Sequence, residues 1–533
     1  MKRETFFEKF DQFADARNAV EKMRTLVLDL AVKGKLTDRE EDSESVDPKY
    51  SDEPSSEALP ANWRLLNFGK FCDIQGGNQP PKSQFSDKPM PGYIRMFQIR
   101  DLGERPVPTY ISKNSTNRFC RDGEILIGRY GASVGKVFWA QDGAYNVALA
   151  KFIYPEDALL PGFAFRVLKS DFFQAEIAGA SRSAQAGFNK GDLAAINFPL
   201  PPLAEQKRIV AKVDELMALC DRLALQQQER ETRHAALARA SLARFAEAPT
   251  PTNLSFLFHR SYTISPADLR NSILALAVQG KLVPQDPSDE PADILLARID
   301  QKRTSLLEAG YPNRGEASTQ LRKQKAQVLP NGLEPLAPGW GWATLIQASL
   351  LVVDCHNKTA PYVDSGIRLL RTTNIRNGQL NLLEPKFVDD ATYERWSARC
   401  KPEPGDVLIT REAPMGEVCA VPQGMRICLG QRMMLIRLVP ETMDTKYLLY
   451  SLMAPDLMDR VQDKPVGATV QHLRVGGVET LLTPIPPISE QRRIVAKVDQ
   501  LMALIDQLEA QLTASRATAT RLLDAIVAEL TAA

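Results

Sequence analysis

Two stretches of the chain carry apolar residues at alternating spacings of four and three positions. The two series are Ile209, Val213, Leu216, Cys220 and Leu223, then Ile494, Val498, Leu501, Ile505, Leu508 and Leu512. This spacing puts the apolar side chains on one face of a helix and is typical of a coiled-coil seam or a long helical hairpin. A Pro-Pro pair precedes each series and favours extended backbone there. The pattern predicts two long helices, from about Leu203 to Phe245 and from about Ile488 to Leu530.

The sequence around the two predicted helices is repeated. Residues 199–223 (PLPPLAEQKRIVAKVDELMALCDRL) and 484–508 (PIPPISEQRRIVAKVDQLMALIDQL) are identical at 18 of 25 positions, which chance does not produce. A shorter pair, LDLAVKGKL at 28–36 and LALAVQGKL at 274–282, is identical at 7 of 9 positions. We expect each shorter segment to be the end of a helix that is capped by its glycine. The chain is therefore predicted to contain one plan twice: a helix, a variable block and a long second helix.

The two variable blocks have the pattern of strands. Short runs rich in β-branched and aromatic residues, such as EILIGRY in the first block and MMLIRLV in the second, are separated by Gly, Pro, Asn and Asp. Two resemblances weaker than the repeats lie inside the blocks: IRMFQIRD from Ile94 resembles LRTTNIRN from Leu370, and GEILIGRYGASVG resembles GDVLITREAPMG. We therefore expect both blocks to be α/β domains of about 140 residues with one fold and mostly different side chains.

These patterns predict a mixed α/β fold in which long coiled-coil-like helices join two α/β domains, with a pseudo-two-fold internal repeat. Asp38–Ser56, which is acidic and rich in Pro and Ser, and Gly310–Pro338, which is rich in Gly and Pro, are expected to be linkers. The predicted regions are an N-terminal helical region with an acidic linker (1–58), a first α/β domain (59–200), a central helical region with a linker (201–335), a second α/β domain (336–485) and a C-terminal helix (486–533).

The composition excludes several classes of protein. Of the 533 residues, 44% are hydrophobic and 25% are charged, the balance of a globular protein. Seven cysteines without CxxC spacing and only four histidines argue against a disulfide framework or a Cys/His zinc module. The beginning, MKRETFFEKFDQF, is too charged for a signal-peptide core, and no run of about 18 apolar residues occurs. We therefore expect a cytoplasmic protein without a membrane span.

The charge is balanced overall and uneven along the chain. Lys and Arg total 66 against 65 Asp and Glu, a net charge of +1. Residues 60–200 carry 17 basic and 12 acidic side chains, residues 336–486 carry 16 of each, and the first 58 residues carry 10 and 15. The first block is therefore basic and follows an acidic region, so a local surface for a polyanion is compatible with the neutral total.

No constellation of residues predicts catalysis. The run GRYGASVGKV ends in Gly-Lys, but Tyr130 and Val137 stand where a phosphate loop needs Gly and Ser or Thr. None of the Pro-Pro pairs has the Asn or Asp before it and the aromatic residue after it that a DNA-adenine methyltransferase needs, and no strand–GxGxxG–helix unit is found. Asp293, Asp300 and Lys302 imitate a nuclease metal site, but their helical amphipathic run favours a solvated charged helix face.

Polar residues in both blocks have the side chains that recognise nucleic acid. Arg pairs bidentately with guanine and Asn or Gln with adenine in the major groove, while Lys and Arg also position phosphates. The candidates in the first block are Asn78, Gln79, Lys82, Gln84, Arg95, Gln98, Arg100, Arg129, Lys136 and Lys190. The candidates in the second block are His356, Asn357, Lys358, Arg371, Thr373, Asn374, Arg376, Arg411 and Arg474. Phosphate contacts are expected from Lys136, Lys190 and Arg474. For any one of these residues alone, ordinary surface polarity is the competing interpretation.

The repeated PxPPxxEQxRIVxKVD motif, the LAVxGKL element and the order of helices and blocks resemble the specificity subunits of Type I restriction-modification enzymes. The resemblance covers essentially the whole chain. It implies that each variable block is a target recognition domain that reads one half of an asymmetric bipartite site in double-stranded DNA. It also implies that the helices are antiparallel, set the spacing between the half-sites and dock two copies of a modification subunit.

The same resemblance assigns the chemistry to other chains, so that this one is expected to be non-catalytic. Modification subunits would bind S-adenosylmethionine and methylate adenine, and restriction subunits would use ATP and Mg²⁺, so that this chain would bind none of these cofactors. The alternatives are the same DNA-reading subunit in a methylation-only or phage-exclusion system, a nuclease or methyltransferase that acts alone, and a coiled-coil scaffold without a DNA role.

Overall fold

The protein, represented by a computed structural model, consists of two compact units. The structure describes residues 3–8, 10, 16, 18–37, 46–50, 59–102, 106–180, 187–248, 250–257, 264–463, 465 and 471–532. The first unit comprises residues 1–230 and 513–533, and the second comprises residues 231–512. Each unit therefore contains one of the variable blocks together with a part of each predicted long helix.

Helices frame both variable blocks, and short strands fill them. The helices are α1 (Arg3–Glu8), α2 (Ala19–Val32), α3 (Phe68–Phe71), α4 (Pro161–Lys169), α5 (Asp171–Ala180), α6 (Lys190–Leu193), α7 (Leu203–Glu247), α8 (Pro251–Leu257), α9 (Pro266–Val278), α10 (Ala292–Glu308), α11 (Arg314–Lys325), α12 (Leu345–Ala348), α13 (Asp390–Trp396), α14 (Thr445–Met453), α15 (Val475–Glu479) and α16 (Ile488–Ala532).

The strands fall into two groups, one in each variable block. Those of the first block are β1 (Arg64–Asn67), β2 (Asp73–Gly76), β3 (Tyr93–Phe97), β4 (Tyr110–Ser112), β5 (Phe119–Cys120), β6 (Ile125–Gly128), β7 (Val137–Trp139), β8 (Gly143–Tyr145), β9 (Leu149–Ile153) and β10 (Asn197–Leu200). Those of the second block are β11 (Gly341–Thr344), β12 (Leu351–Asp354), β13 (Ile367–Leu370), β14 (Ile375–Arg376), β15 (Gln379–Leu380), β16 (Lys386–Val388), β17 (Val407–Thr410), β18 (Val418–Ala420), β19 (Ile427–Leu429), β20 (Met433–Arg437) and β21 (Leu482–Ile485).

The two predicted long helices are confirmed. Helices α7 and α16 have 45 residues each and begin directly after the Pro-Pro pairs. The predicted seams are buried from Ile209 to Leu223 and from Ile494 to Ile505, because they pack against the core of their units. Beyond Leu223 most side chains of α7 are exposed or half-buried as far as Leu242.

The α/β domain of the first unit is built from two four-stranded sheets. One has the order β2-β9-β6-β7 and is antiparallel throughout. The other has the order β4-β3-β8-β5, in which β3 and β8 are parallel. Strands β1 and β10, the first and last of the domain, pair with each other. The chain therefore enters and leaves the domain side by side, next to the start of α7.

The second unit repeats this topology, except that none of the described strands corresponds to β5. Its sheets have the orders β12-β20-β17-β18 and β16-β13-β19, and β13 and β19 are parallel, as β3 and β8 are. Strands β11 and β21 close the domain as β1 and β10 do. The second domain also contains helix α13 and the β14–β15 hairpin. The predicted fold, two α/β domains of one topology joined by long helices, is confirmed.

The strand register corrects one alignment made from the sequence. The backbone N–H of Asn146 donates to the carbonyl of Phe97 at 3.0 Å, and that of Gly430 donates to the carbonyl of Leu370 at 2.7 Å. Phe97 therefore corresponds to Leu370. The weak match of IRMFQIRD with LRTTNIRN is wrong by three residues, because it followed identical side chains and not the pairing of the strands.

The predicted linker Gly310–Pro338 is wrong in its central part, where helix α11 lies. This helix packs on α10 and α12, and its fully buried Gln320 donates to the carbonyl of Val352 at 2.9 Å. Because α11 contains few apolar residues and makes polar contacts, a search for hydrophobic periodicity overlooks it. The other predicted linker, Asp38–Ser56, lies outside the described residues except for 46–50.

Helices α2 and α9 end as the LAVxGKL segments predict. Gly34 and Gly280 both have φ of +67°, a conformation that favours glycine. The backbone N–H of the following lysine donates to the carbonyl five residues before it, at 2.8 Å in α2 and 3.0 Å in α9. This is the Schellman arrangement, which satisfies carbonyl groups at the end of a helix.

The internal repeat extends to the contacts between helices. Arg24 of α2 pairs with Asp221 of α7 at 2.5 Å, and Arg270 of α9 pairs with Asp506 of α16 at 2.7 Å. The two arginines are separated by the same 246 positions as the LAVxGKL segments, and the two aspartates by the same 285 positions as the longer repeat. The two short helices therefore dock on the two long ones in the same way.

The glutamine of the repeated EQ pair fixes the α/β domain of the first unit to its long helix. The amide Nε2 of Gln206 donates to the carbonyls of Ala158 and Pro201, at 2.8 and 2.9 Å. Its Oε1 accepts from the backbone N–H of Leu160, the residue before helix α4, at 2.8 Å. The side chain is fully buried, so each of these bonds replaces a bond to water that burial has removed.

The second unit has the same arrangement, which we call the glutamine clamp. Gln491 is fully buried, donates to the carbonyl of Pro486 at 2.9 Å and accepts from the backbone N–H of Asp444 at 2.9 Å. Asp444 directly precedes helix α14, as Leu160 precedes α4. In both units, therefore, one side chain joins the Pro-Pro turn, the long helix and a helix of the domain.

Two turns along each long helix, the aspartate of the repeated KVD sequence makes a second contact with the same domain helix. Asp214 of α7 pairs with Arg166 of α4. Asp499 of α16 pairs with Lys446 at 2.6 Å and accepts from the hydroxyl of Tyr450, both on α14. The clamp and this aspartate together fix the orientation of each domain helix on its long helix.

We predict that Gln491→Ala lowers the free energy of unfolding of the second unit by about 2 kcal/mol, because a buried N–H and a buried carbonyl lose their partner. Urea denaturation followed by tryptophan fluorescence measures this, since Trp340 donates to Glu490, next to the clamp, at 3.0 Å. Gln500→Ala, an exposed glutamine on the same helix, is the matched control. An equal loss in both variants would contradict a specific role of the clamp.

Candidate nucleic-acid interface

Three candidate residues of the first domain lie around one buried side chain, Asn146. Its backbone N–H donates to the carbonyl of Phe97, directly before Gln98, at 3.0 Å. Its Nδ2 lies 3.5 Å from Oε1 of Gln79. Its Oδ1 accepts from the N–H of Ala148 at 3.2 Å. The carbonyl of Ala148 in turn accepts from the N–H of Arg129 at 2.8 Å. Asn146, which carries no signal in the sequence, therefore joins the three loops.

Other candidates of this domain form hydrogen bonds within the loops. The Oδ1 of Asn78 accepts from the hydroxyl of Thr116 at 2.6 Å. The hydroxyl of Thr109 accepts from Gln98 and from Arg100, both at 3.0 Å. These bonds reduce the freedom of the loops, so that the polar side chains are held in defined positions before any ligand binds.

The remaining candidates of the first domain differ in their surroundings. Those with exposed side chains are Lys82, Gln84, Lys136 and Lys190. Arg95 lies over the ring of Phe97, 5.0 Å from its centre. Lys190 pairs with Asp73 at 2.6 Å, and Asp73 begins β2, whereas the loop with Gln79 follows the other end of that strand. The ammonium of Lys190 is thus held at the start of β2, although Phe188, two residues before Lys190, contacts Arg129.

In the second domain, three candidates build their own loop. Asn374 is buried; its Oδ1 accepts from the N–H of Arg371 at 2.9 Å, and its Nδ2 donates to the carbonyl of Asn381 at 3.0 Å. The guanidinium of Arg371 donates to the carbonyl of Glu384 at 3.2 Å. The guanidinium of Arg376 donates to the carbonyl of Thr372 at 2.9 Å. These side chains satisfy backbone groups of the loop that follows β13.

The loop after β12 is shaped by an aromatic contact. The ring of His356 stacks on Trp396 of α13 with centres 4.3 Å apart, and Nε1 of Trp396 donates to the carbonyl of Lys358 at 3.2 Å. The candidates with exposed side chains in the second domain are Asn357, Lys358, Thr373, Arg376 and Arg474. The tryptophan thus positions a loop whose tip presents an amide and an ammonium group to the outside.

Arg129 and Arg411 occupy the same place in the two domains. Each follows a central strand, β6 or β17, and each donates to the carbonyl before α6 or α15. Arg129 Nε lies 3.3 Å from the carbonyl of Phe188, and Arg411 Nη1 lies 3.1 Å from that of Leu473. The basic residue at the strand end, which the sequence singled out, therefore has a structural role in both domains.

The electrostatic surroundings of the two arginines differ. Asp354, at the end of β12, lies 3.4 Å from Nε of Arg411. Burial raises the pKa of Asp354, and Arg411 opposes this shift. At the equivalent end of β2 stands Gly76, where a Cβ atom would lie 2.4 Å from Nη1 of Arg129. The charge of Arg411 is thus partnered inside the domain, whereas Arg129 faces a glycine and lies over the Tyr130 ring.

The catalytic alternatives gain no support from the geometry. In the described part of the chain no group of three or more His, Cys, Asp or Glu is arranged to hold a metal. Asp293, Asp300 and Lys302 lie on helix α10, as expected, and Asp300 accepts a hydrogen bond from Gln324 of α11. The run GRYGASVGKV connects the paired strands β6 and β7, whereas a phosphate loop connects a strand to a helix. Among the helices described, none is long and apolar enough to cross a membrane.

Comparison with known protein families defines the class. The family described as "Type I restriction modification DNA specificity domain" matches residues 60–231 and 375–515. These ranges include more than half of the chain and reproduce its two-domain plan. The chain belongs to this family, which confirms the resemblance found in the repeated motifs.

Individual relatives are similar over nearly the whole chain. The chain is 25% identical to the Type I restriction enzyme EcoAI specificity subunit of Escherichia coli, over 95% of this chain and 93% of the relative. It is 23% identical to the EcoEI specificity subunit of the same species, over the same shares. The HsdS subunit from Thermoanaerobacter tengcongensis, a crystal structure, is 18% identical over 89% of this chain and 97% of that one, with a TM-score of 0.41.

We predict that Arg411→Met lowers the free energy of unfolding of the second domain by about 3 kcal/mol at pH 7, because the buried Asp354 carboxylate loses the cation with which it is paired. The folded-state pKa of Asp354 is raised above the ordinary 3.8 and should rise further in the variant. The native state then binds more protons than the unfolded state, so the deficit should grow as the pH rises from about 4. Urea denaturation of the wild type and the variant at about pH 4 and at pH 7 measures this difference in the free energy of unfolding.

Two further variants serve as controls for this prediction. Asp354→Asn in the Arg411→Met background should restore part of the lost stability, because the uncompensated charge is removed. Arg426→Met, which removes an exposed arginine paired with Asp390 at 3.1 Å, should cost less than about 1 kcal/mol. A pH-independent loss, or no rescue by the second substitution, would show that the ion pair is not the cause.

Proposed function

We propose that this chain is the DNA sequence-recognition subunit of a Type I restriction-modification complex. Each α/β domain reads one half of an asymmetric bipartite site, and the long helices set the gap between the halves and dock two modification subunits. The observation that carries this proposal is the internal repeat: one chain of the specificity family holds two domains of one topology with different side chains on the same loops.

The differences at equivalent positions support an asymmetric site. The residue after the parallel strand is Gln98 in the first domain and Arg371 in the second, and the strand-end arginine is partnered by a carboxylate only in the second. Recognition of base edges depends on which donors and acceptors a loop presents. Two domains that present different groups would therefore read different half-sites.

We further propose that the chain performs no chemistry itself. Methylation of adenine with S-adenosylmethionine and cleavage with ATP and Mg²⁺ would be carried out by modification and restriction subunits, in the cytoplasm. The cysteines support a non-catalytic chain, because all seven are buried and burial raises the pKa of the thiols of Cys120 and Cys419 to about 12. Such thiols are not nucleophiles at neutral pH.

We predict that the complex of this chain with its modification subunits binds one bipartite sequence tightly and other DNA weakly. Methylome sequencing of the host with and without the gene identifies the site, and titration of a labelled duplex at several salt concentrations measures the affinity. Each phosphate that is neutralised contributes about 0.9 to the slope of log K against log salt. Equal affinity for all sequences would contradict the proposed function.

A pair of charge variants locates the interface in the same titration. Lys136→Gln removes an exposed cation next to the end of β6 that carries Arg129, and we expect the salt slope to fall by about one. Arg121→Gln removes an exposed cation before the other end of the same strand and should leave the slope unchanged. If both variants, or neither, change the slope, the loops around Asn146 are not the DNA-binding end of the domain.

We predict that lengthening α7 changes the gap between the half-sites and leaves their sequences unchanged. Seven residues, about two turns, inserted after Leu223 lengthen the helix where its side chains become exposed. Methylome sequencing of a strain with the variant gives the new site. The control is a variant in which seven exposed residues of the same segment are replaced, none of them by glycine, without a change in helix length. An unchanged gap would show that α7 does not set the spacing.

A further inference from the structure

An exposed apolar patch lies along one edge of the second domain. Its members are Tyr362, Val363, Leu382 and Leu383, and Leu383 is 75% exposed. Val363 forms a β-bridge with Phe387 of strand β16, which directly follows the loop that carries the two leucines. Single exposed leucines are ordinary on protein surfaces, whereas several together indicate a surface that a partner covers.

The loop with Leu383 is held in place by hydrogen bonds on both sides of this residue. The N–H of Leu383 donates to Oδ1 of Asn381 at 3.0 Å. The carbonyl before it accepts from Arg368 at 3.1 Å, and the carbonyl after it accepts from Arg371 at 3.2 Å. These bonds hold the leucine in solvent, although burial of its side chain in the core of the domain would be favourable. The side chain is therefore presented in advance to something outside the domain.

Cations border the apolar patch and indicate the charge of its partner. The ammonium of Lys386 lies 5.4 Å from the centre of the Tyr362 ring, and the guanidinium of Arg368 lies 5.7 Å from that of Phe387. The basic residues of this edge are Arg368, Arg371, Arg376 and Lys386, and the acidic ones are Asp364, Glu384 and Glu417, which accepts from the N–H of Asn377 at 2.7 Å. An apolar tip within a basic border fits a polyanion with an apolar interior, as a stacked DNA duplex is.

The first domain has an exposed apolar residue on the equivalent connection. Ser86 and Tyr110 form the bridge that corresponds to the one at the patch. Val107, three residues before Tyr110, is 52% exposed, and Thr109 is held by the bonds from Gln98 and Arg100. Both domains thus carry an exposed apolar side chain on the connection that follows the parallel strand of the mixed sheet. In this register Val107 corresponds to Glu384 and not to Leu383, so the exposed leucine itself is a feature of the second domain.

We propose that Leu383 is a wedge that enters the base stack of the half-site read by the second domain and unstacks one base step. The inference rests on the proposed function and adds a specificity determinant to it. Because pyrimidine–purine steps unstack most easily, a wedge selects for such a step without a hydrogen bond to its bases. Arg368 and Lys386, on the border of the patch, contact the phosphates beside the opened step.

The test uses the complex with its modification subunits and a duplex of the site found by methylome sequencing. 2-Aminopurine replaces each purine of both half-sites in turn, except the base that is methylated. The wild-type complex should raise the fluorescence at one step of one half-site. Leu383→Ala should abolish that rise and weaken binding roughly tenfold, and Leu383→Met should retain the rise. Val328→Ala, which truncates a 79% exposed residue between α11 and β11, should change neither.

The possible outcomes separate the wedge from the function on which it rests. Specific binding by the wild type with no rise at any position overturns the wedge and leaves the proposed function standing. A wild-type complex without sequence preference overturns the proposed function. If Leu383→Ala weakens assembly with the modification subunits, measured by size-exclusion chromatography, and leaves the fluorescence rise intact, the patch is a protein interface and the wedge is wrong.

Discussion

The glutamine clamp is the interaction on which the placement of both recognition domains depends. A primary amide side chain offers two donors and an acceptor, and Gln206 uses all of this capacity on backbone groups of the Pro-Pro turn and of the domain. Proline offers only its carbonyl group for backbone hydrogen bonding, and the side chain of Gln206 donates to that of Pro201. Because Gln491 repeats the arrangement, each domain is attached to its long helix in the same way, and the positions of its loops follow from that attachment.

The fold could be predicted from the sequence to the extent that it depends on local patterns. The spacing or identity of nearby residues indicates the apolar seams of α7 and α16, the glycine ends of α2 and α9 and the repeat of the strands. Helix α11 was missed because its contacts are polar, and the clamp was missed because the partners of Gln206 are backbone atoms, which have no sequence signature. The alignment of β3 with β13 was wrong for a similar reason. The pairing of these strands with β8 and β19 determines their register, whereas the sequence alignment matched arginines that are not equivalent.

The candidate site could be predicted by residue type and region but not by the use of each side chain. A loop must first satisfy its own backbone groups, and Arg371 and Asn374 do this in the second domain. A polar residue that looks like a base reader in the sequence can therefore be the support that holds another residue in place. Asn146 has such a role in the first domain, and its partners lie 49 and 67 positions away in the sequence, beyond the reach of any local pattern.

The two domains differ most in electrostatics, and this difference implies a division of roles in the proposed function. The first block is basic, and Arg129 faces Gly76, so its charge is available to a phosphate. The second block is neutral, and Arg411 is partnered by Asp354 within the domain. Since salt-dependent affinity grows with the number of phosphates neutralised, the first domain should supply more of it. The second domain then has to depend more on shape and on the cost of deforming DNA, for which a rigid loop with an apolar tip is suited. One topology can thus divide affinity and selectivity unequally between two half-sites through a few residues at equivalent strand ends.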